Sequence, residues 1–207
     1  IPLRLVGSEM CIRDRNWVRP SKPSENVRQA IFAFKGDVYQ GLDASSLSKS
    51  EIKYTQKNLL ILSGLYGMLK PLDLMYPYRL EMGTKMKNKR GDNLYEFWGS
   101  KINRSINKLA KENKSKAIVN LASVEYFSVL SKDALDLPVI SPVFKDYKNG
   151  QYKIISFFAK KARGTMTRFI MQNKVKKVED LAGFNLDGYR YSEKESEEFS
   201  PVFLRKS

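Results

Sequence analysis

The chain has 207 residues, 42% of them hydrophobic and 12% aromatic, enough for one globular domain with a proper core. Lysine and arginine number 37 against 22 acidic residues, a net charge of +15 that favours polyanions, nucleic acid before anionic membrane. With no histidine and one cysteine, the composition excludes His-based acid–base chemistry, Ser-His triads, most transition-metal sites and an internal disulfide. No apolar run approaches the ~20 residues of a membrane helix, and no cleavable signal pattern is present.

The first feature in chain order is a break. Leu5-Val6-Gly7-Ser8-Glu9-Met10-Cys11-Ile12-Arg13-Asp14-Arg15 fits nothing downstream and resembles a translated adaptor sequence. Residues 1–15 are therefore set aside as a non-native segment, and 16–207 are read as a single domain. On that reading Cys11 is not native and the natural chain begins further upstream.

A linker-like stretch over 20–23 leads into an amphipathic helix over 26–34, with Val27, Ala30, Ile31 and Phe34 on one face. Gly36 ends it, and Val38 and Tyr39 return to the core. Ser48 or Ser50 caps a helix over 51–62, whose apolar end runs into the turn Gly64-Leu65-Tyr66-Gly67. Pro71 and Pro77 allow only a short helix between them. Residues 78–82 are extended, 85–91 form a basic loop, and a long helix covers 93–113 with Leu94, Phe97, Trp98, Ile102, Ile106 and Leu109 inward. A buried strand over 117–121 precedes a helical turn over 123–127. Asn149-Gly150 joins β-rich runs at 139–147 and 151–158, the strongest short hairpin signal in the chain. A basic helix covers 159–174 and a short helix 178–182, and strands at 189–191 and 201–204 close the chain around an acidic loop. The fold class is α/β in the mixed α+β sense, a single domain with an antiparallel hairpin.

The turn Ser63-Gly64-Leu65-Tyr66-Gly67, with Lys70 beyond it, resembles the hairpin of helix-hairpin-helix motifs, where backbone N–H groups hold a DNA phosphate. Such contacts position a protein on DNA without reading sequence. Pro71 would then sit in the first turn of a short second helix. An equally simple reading is a glycine-terminated helix that packs Leu65 and Tyr66 into the core. In the basic helix, Lys160, Lys161 and Arg163 stand at the N-terminal end and Arg168 further along, and cations at a helix start oppose the dipole unless an anion joins them. Arg79 and Glu81 alternate onto one face, where they bind or simply pair. Asn120, Ser123 and Glu125 follow a strand end, a usual place for binding groups. An enzyme would use Glu125 or Glu81 as base with Lys35 or Arg79 as anion holder. Neither a Walker loop nor a dinucleotide fingerprint is present, and no nucleophile elbow is found.

Several blocks carry a family resemblance. Arg28-Gln29-Ala30-Ile31-Phe32-Ala33-Phe34-Lys35-Gly36-Asp37-Val38-Tyr39, Leu62-Ser63-Gly64-Leu65-Tyr66-Gly67, Pro71-Leu72-Asp73-Leu74-Met75, Pro77-Tyr78-Arg79-Leu80-Glu81-Met82-Gly83, Val119-Asn120-Leu121-Ala122-Ser123 and Lys160-Lys161-Ala162-Arg163-Gly164 resemble the YaaA peroxide-stress-resistance family. The likeness runs from about residue 21 to the C-terminus. It implies a cytoplasmic bacterial protein that helps cells survive hydrogen peroxide and limits free intracellular iron. It also implies a family-specific α/β fold with a helix-hairpin-helix element, binding DNA through a basic cleft. Carried onto this chain, the hairpin falls on residues 63–70 and the cleft on Lys35, Arg79, Lys160, Lys161 and Arg163. The family's N-terminal strand, with its Ser-Pro-Ala-Lys segment, is absent from this sequence.

The leading expectation is a DNA-binding stress protein without a cofactor or a resident metal. With no histidine to ligate iron, its effect on iron would be indirect. The alternatives are an enzyme acting on nucleic acid or a phosphorylated metabolite, and a scaffold whose positive face binds a protein or an anionic surface.

Overall fold

In the computed structural model, which describes residues 26–206, the predicted first helix is replaced by a strand, β1 (Arg28–Gln29), and a single turn, α1 (Ala30–Ala33). Tertiary pairing decides this. The Ala30 N–H donates to the Asp73 carbonyl and the Ile31 N–H to the Pro71 carbonyl, each at 2.9 Å. Local helical periodicity cannot anticipate a partner that far along the chain. Gly36 then caps the start of α2 (Asp37–Leu42) instead of ending a helix, so Val38 and Tyr39 are helical.

Ser48 and Glu51 form a capping box, with the Glu51 N–H on Ser48 Oγ at 3.3 Å and the Ser48 N–H on the Glu51 carboxylate at 2.6 Å. The helix they start, α3 (Lys49–Asn58), stops short of the apolar run that follows. That run is β2 (Ile61–Ser63), paired antiparallel with β3 (Gly67–Leu69). A short aliphatic stretch is ambiguous between buried helix and strand, and here the pairing partner settles it. Where a short helix is expected between the prolines, β4 (Leu74–Met75) pairs antiparallel with β1.

The long helix divides into α4 (Leu94–Trp98) and α5 (Lys101–Glu112) at Gly99. Asn93 caps α4, accepting the Glu96 N–H at 2.9 Å. β5 (Ile118–Val119) is followed by α6 (Val124–Phe127), capped by Ser123. β5 pairs in parallel with β6 (Val139–Ile140), which therefore stands apart from the hairpin it was expected to begin.

That hairpin is β7 (Val143–Lys148) and β8 (Gln151–Lys153). Asn149 and Gly150 have φ of 55° and 80°, the left-handed pair that a two-residue hairpin turn needs. α7 (Ser156–Asn173) begins earlier than its sequence pattern suggests. β9 (Arg190–Tyr191) and β10 (Val202–Arg205) pair antiparallel as expected, and β10 also pairs in parallel with β7. The resulting four-stranded sheet has the order β8-β7-β10-β9.

One face of this sheet packs on α7. Phe144 and Phe203 meet Ala159, Ala162 and Met166, with Leu181, Phe184 and Tyr189 closing the core. Asp146, 2% exposed, is held beneath by Arg205 Nε and by the Tyr189 hydroxyl, which donates at 2.9 Å. A second core joins Leu80, Met82, Leu94, Ile102 and Ile106. α2 lies along α7 at the closest possible approach, since a Cβ on Gly164 would overlap the Val38 carbonyl. The fold is thus mixed α/β, built of small sheets and short helices around several linked cores.

Candidate nucleic-acid interface

The turn after β2 is the place to begin, because the sequence gives it two competing roles. Gly64 and Gly67 are both buried, and the elements on either side are strands. A Cβ on Gly64 would come within 2.5 Å of the Leu80 carbonyl oxygen. Gly67 has φ of 73°, and its Cβ would meet the Trp98 ring at 2.8 Å. The Trp98 indole N–H donates to the Gly64 carbonyl at 3.0 Å. The absence of a side chain at these glycines admits Leu80 and Trp98, and the segment 63–70, expected as the hairpin of a helix-hairpin-helix element, is a β-hairpin. The physical reason is the strand pairing of Ile61 with Leu69 and Leu62 with Met68.

The same turn anchors an aromatic cluster. Ser63 Oγ is fully buried, accepts the Tyr66 N–H at 3.0 Å and shares a hydrogen bond with the Tyr78 hydroxyl. Tyr66 packs edge-on to Tyr78 with centroids 5.7 Å apart, and its hydroxyl accepts the Tyr76 N–H. Phe34 meets Tyr78 edge-on at 6.1 Å and stacks on Tyr39 at 5.4 Å. Burial pushes the Tyr78 phenol up to about 12, against the opposing pull of Ser63, and raises Tyr39 as well. Burial also raises Tyr126, and the nearby charges of Glu125 and Glu81 add to it.

This packing brings separate sequence blocks side by side. Phe34 carries Lys35 next to it in the chain, and Tyr78 carries Arg79; both cations are exposed. Glu81 and Glu125 converge on Tyr126. Glu125 is already engaged, accepting the Gly83 N–H at 2.8 Å. Among the described residues Arg79 and Glu81 make no ion pair with each other. Beside Lys35 lies a hollow of about 280 Å³ lined in part by Phe32, Phe34, Tyr39 and Gln40. Lys70 turns its backbone inward, its N–H donating to Asp73 at 2.8 Å.

The cations of α7 divide by what they touch. Arg168 donates to the carbonyls of Leu42 and Asp43, each at 3.1 Å, and to Ser46 Oγ at 2.7 Å, which fastens the C-terminal end of α2. Lys161 lies 3.9 Å from Asp187. Lys160 is exposed and Arg163 half-buried, and neither has a carboxylate partner among the described residues. Burial lowers the Arg163 pKa, and its Nε donates only to the Ala159 carbonyl, at 3.3 Å. Of the cleft cations expected from the sequence, Lys35, Arg79, Lys160 and Arg163 are thus the ones without a carboxylate partner among the described residues. Sequence reasoning named these residues as candidates and missed the phenol cluster and the contact of Trp98 with the turn, which depend on tertiary contacts that no local pattern announces. Among the described residues no three Asp, Glu, His or Cys side chains group as metal ligands would.

The fold and this arrangement define a basic mixed α/β protein in which Lys35 and Arg79 flank a half-buried aromatic cluster and Lys160 and Arg163 stand on α7. The profile of the family described as "Peroxide stress protein YaaA" matches residues 5–195, and the chain belongs to that family. Among its relatives is a UPF0246 protein from Aliivibrio fischeri (strain ATCC 700601 / ES114), 57% identical over 201 residues, covering 97% of this chain and 77% of the relative. A UPF0246 protein from Shewanella baltica (strain OS185) is 57% identical over 91% of this chain and 73% of its own length. One from Pseudoalteromonas translucida (strain TAC 125) is 52% identical over 97% and 81%. The profile match begins within the first fifteen residues, which lie outside the described part of the structure. Among the described residues no helix is long and apolar enough to cross a membrane.

Proposed function

We propose that this chain acts in the cytoplasmic response to peroxide by binding DNA through phosphate contacts, with little sequence preference. The observation that carries this is the pairing state of the basic residues. Lys161 and Arg168 serve internal contacts, whereas Lys35, Arg79, Lys160 and Arg163 have no acidic partner among the described residues. A half-buried guanidinium without a carboxylate is stabilised by an incoming anion, and the net charge of +15 draws polyanions to it. Coating DNA in this way limits oxidative damage to it, and any effect on free iron follows indirectly.

The test is a salt titration of duplex binding. Each neutralised phosphate contributes about −0.9 to the slope of log affinity against log salt, so engagement by these cations gives a slope of roughly −3 to −4. Affinity independent of salt would overturn the proposal.

A further inference from the structure

The four-stranded sheet has a second face, turned away from α7, whose composition differs from that of the packed face; the 3-10 turn Glu193–Glu195 reaches it through Glu195. Phe144 and Phe203 point to α7, so by strand alternation Lys145 and Tyr147 on β7 point the other way. The register sets Tyr152 directly opposite Tyr147. Residues opposite each other in an antiparallel pair share a face, and the two rings meet there with centroids 5.2 Å apart. They are 37% and 38% exposed, and neither hydroxyl makes a hydrogen bond to the described residues. Lys206 places its ammonium 5.2 Å from the centre of the Tyr147 ring. Lys145 and, through its pairing opposite Leu204, Arg190 complete the same face. Lys145 is held by Glu195 at 2.8 Å and Arg190 donates to the Asn185 and Tyr189 carbonyls, so Lys206 is the cation against the rings, with no acidic partner among the described residues.

Two exposed aromatic rings beside an unpaired cation, on the open side of a twisted sheet, suit one chemistry. Unpaired bases stack on aromatic faces, and a cation next to the rings takes the phosphate between them. A duplex has no free base faces, so it gains nothing from the tyrosines. We infer that this outer sheet face, centred on Tyr147 and Tyr152, is a stacking platform for single-stranded nucleic acid, separate from the phosphate-binding cations proposed above. The inference rests on the reading that nucleic acid is the partner. It adds that single-stranded segments, such as those exposed at damaged or opened DNA, are held by their bases.

The experiment compares a thymidine homopolymer with a duplex of mixed sequence, by fluorescence anisotropy at fixed salt. The proteins are the wild type, Tyr147→Ala/Tyr152→Ala and Tyr147→Phe/Tyr152→Phe. The alanine variant is expected to lose about 5- to 150-fold in single-strand affinity, the range for one stacked base, with duplex affinity kept within about twofold. The phenylalanine variant should bind both like the wild type, since stacking needs the ring and not the hydroxyl. Lys206→Ala should make the single-strand salt slope shallower by about 0.7. Unchanged single-strand affinity in the alanine variant, or equal losses on both probes, overturns the platform. So does a change of oligomeric state in the alanine variant without a change in binding, which would make the face a self-association surface. Duplex binding with no single-strand binding by the wild type also overturns it while leaving the phosphate reading intact. Binding to neither probe overturns both.

Discussion

Gly67→Ala is the sharpest perturbation of the β2–β3 turn, because structural and phosphate-binding roles predict opposite outcomes for it. The residue sits at φ of 73°, where a Cβ costs about 1–2 kcal/mol. That Cβ would also lie 2.8 Å from the Trp98 ring, and overpacking of a filled site costs about 1–3 kcal/mol. The stiffer unfolded chain offsets at most about 1 kcal/mol of this. The net loss is roughly 1 to 5 kcal/mol, a large share of the stability of a domain this size. It corresponds to a fall in melting temperature of roughly 2 to 20 °C. Thermal unfolding by circular dichroism reads the stability, and anisotropy below the transition reads duplex affinity of the folded protein. The expected pattern is a clear stability loss with duplex affinity unchanged. Trp98→Leu in the same background should recover part of the loss, with a coupling of about 0.5–3 kcal/mol, since it removes the clashing ring. A Gly67→Ala protein with wild-type stability and lost DNA binding would refute the structural reading and restore the turn as a phosphate cradle.

The α7 cations offer a paired comparison. Arg163→Gln should make the duplex salt slope shallower by about 0.9 with little change in melting temperature. Arg168→Gln should instead cost about 1.5–3 kcal/mol of stability in urea titrations, through its lost carbonyl contacts at the end of α2, and leave the slope alone. Arg205→Ala should cost about 3–5 kcal/mol, because it strands the buried Asp146 carboxylate, whereas Arg205→Leu with Asp146→Leu should cost less than the single change. Alkaline pH should destabilise the protein. Tyr78 ionises near 10 when unfolded and at about 12 when folded, so the stability it lends is full below pH 10 and is lost as pH rises from 10 through 12. Urea midpoints measured across that interval should fall, and fall less in Tyr78→Phe; a flat midpoint would contradict the burial of this phenol.

Which parts of the fold could be read in advance follows from how far each signal reaches along the chain. Asn149-Gly150 fixes a hairpin by its own left-handed preference, so its turn was legible, and Ser48 with Glu51 announced a helix start for the same local reason. The closing strands around residues 190 and 203 were legible from their alternation. Residues 26–34 and 59–62 failed because their apolar spacing suits a helix in isolation. Their backbones are claimed by segments elsewhere, Asp73 and Pro71 for the first and Met68 and Leu69 for the second. Gly99 divided a helix whose apolar stripe continues on both sides of it, a break that periodicity alone does not mark.

For the candidate site, the sequence supplied positions and the structure supplied allegiance. Lys160, Lys161, Arg163 and Arg168 look alike as a basic stripe, but their spacing on a helix points them to different neighbours. Arg168 finds the bare carbonyls at the end of α2, while Arg163 finds no acid among the described residues. No composition distinguishes those cases, because the deciding partners, the end of α2 and Asp187, lie more than a hundred residues away or across a later turn. The outer sheet face was closer to legible. A two-residue Asn-Gly turn pairs the residues two steps outside it, so Tyr147 opposite Tyr152 follows from the turn alone. What the sequence withheld is which side α7 covers, and that choice puts Phe144 in the core and leaves the tyrosines exposed. An excess of positive charge is a property of the whole chain. What folding adds is the set of internal contacts that claims some of those cations, Arg168 and Arg205 among them, and leaves others exposed.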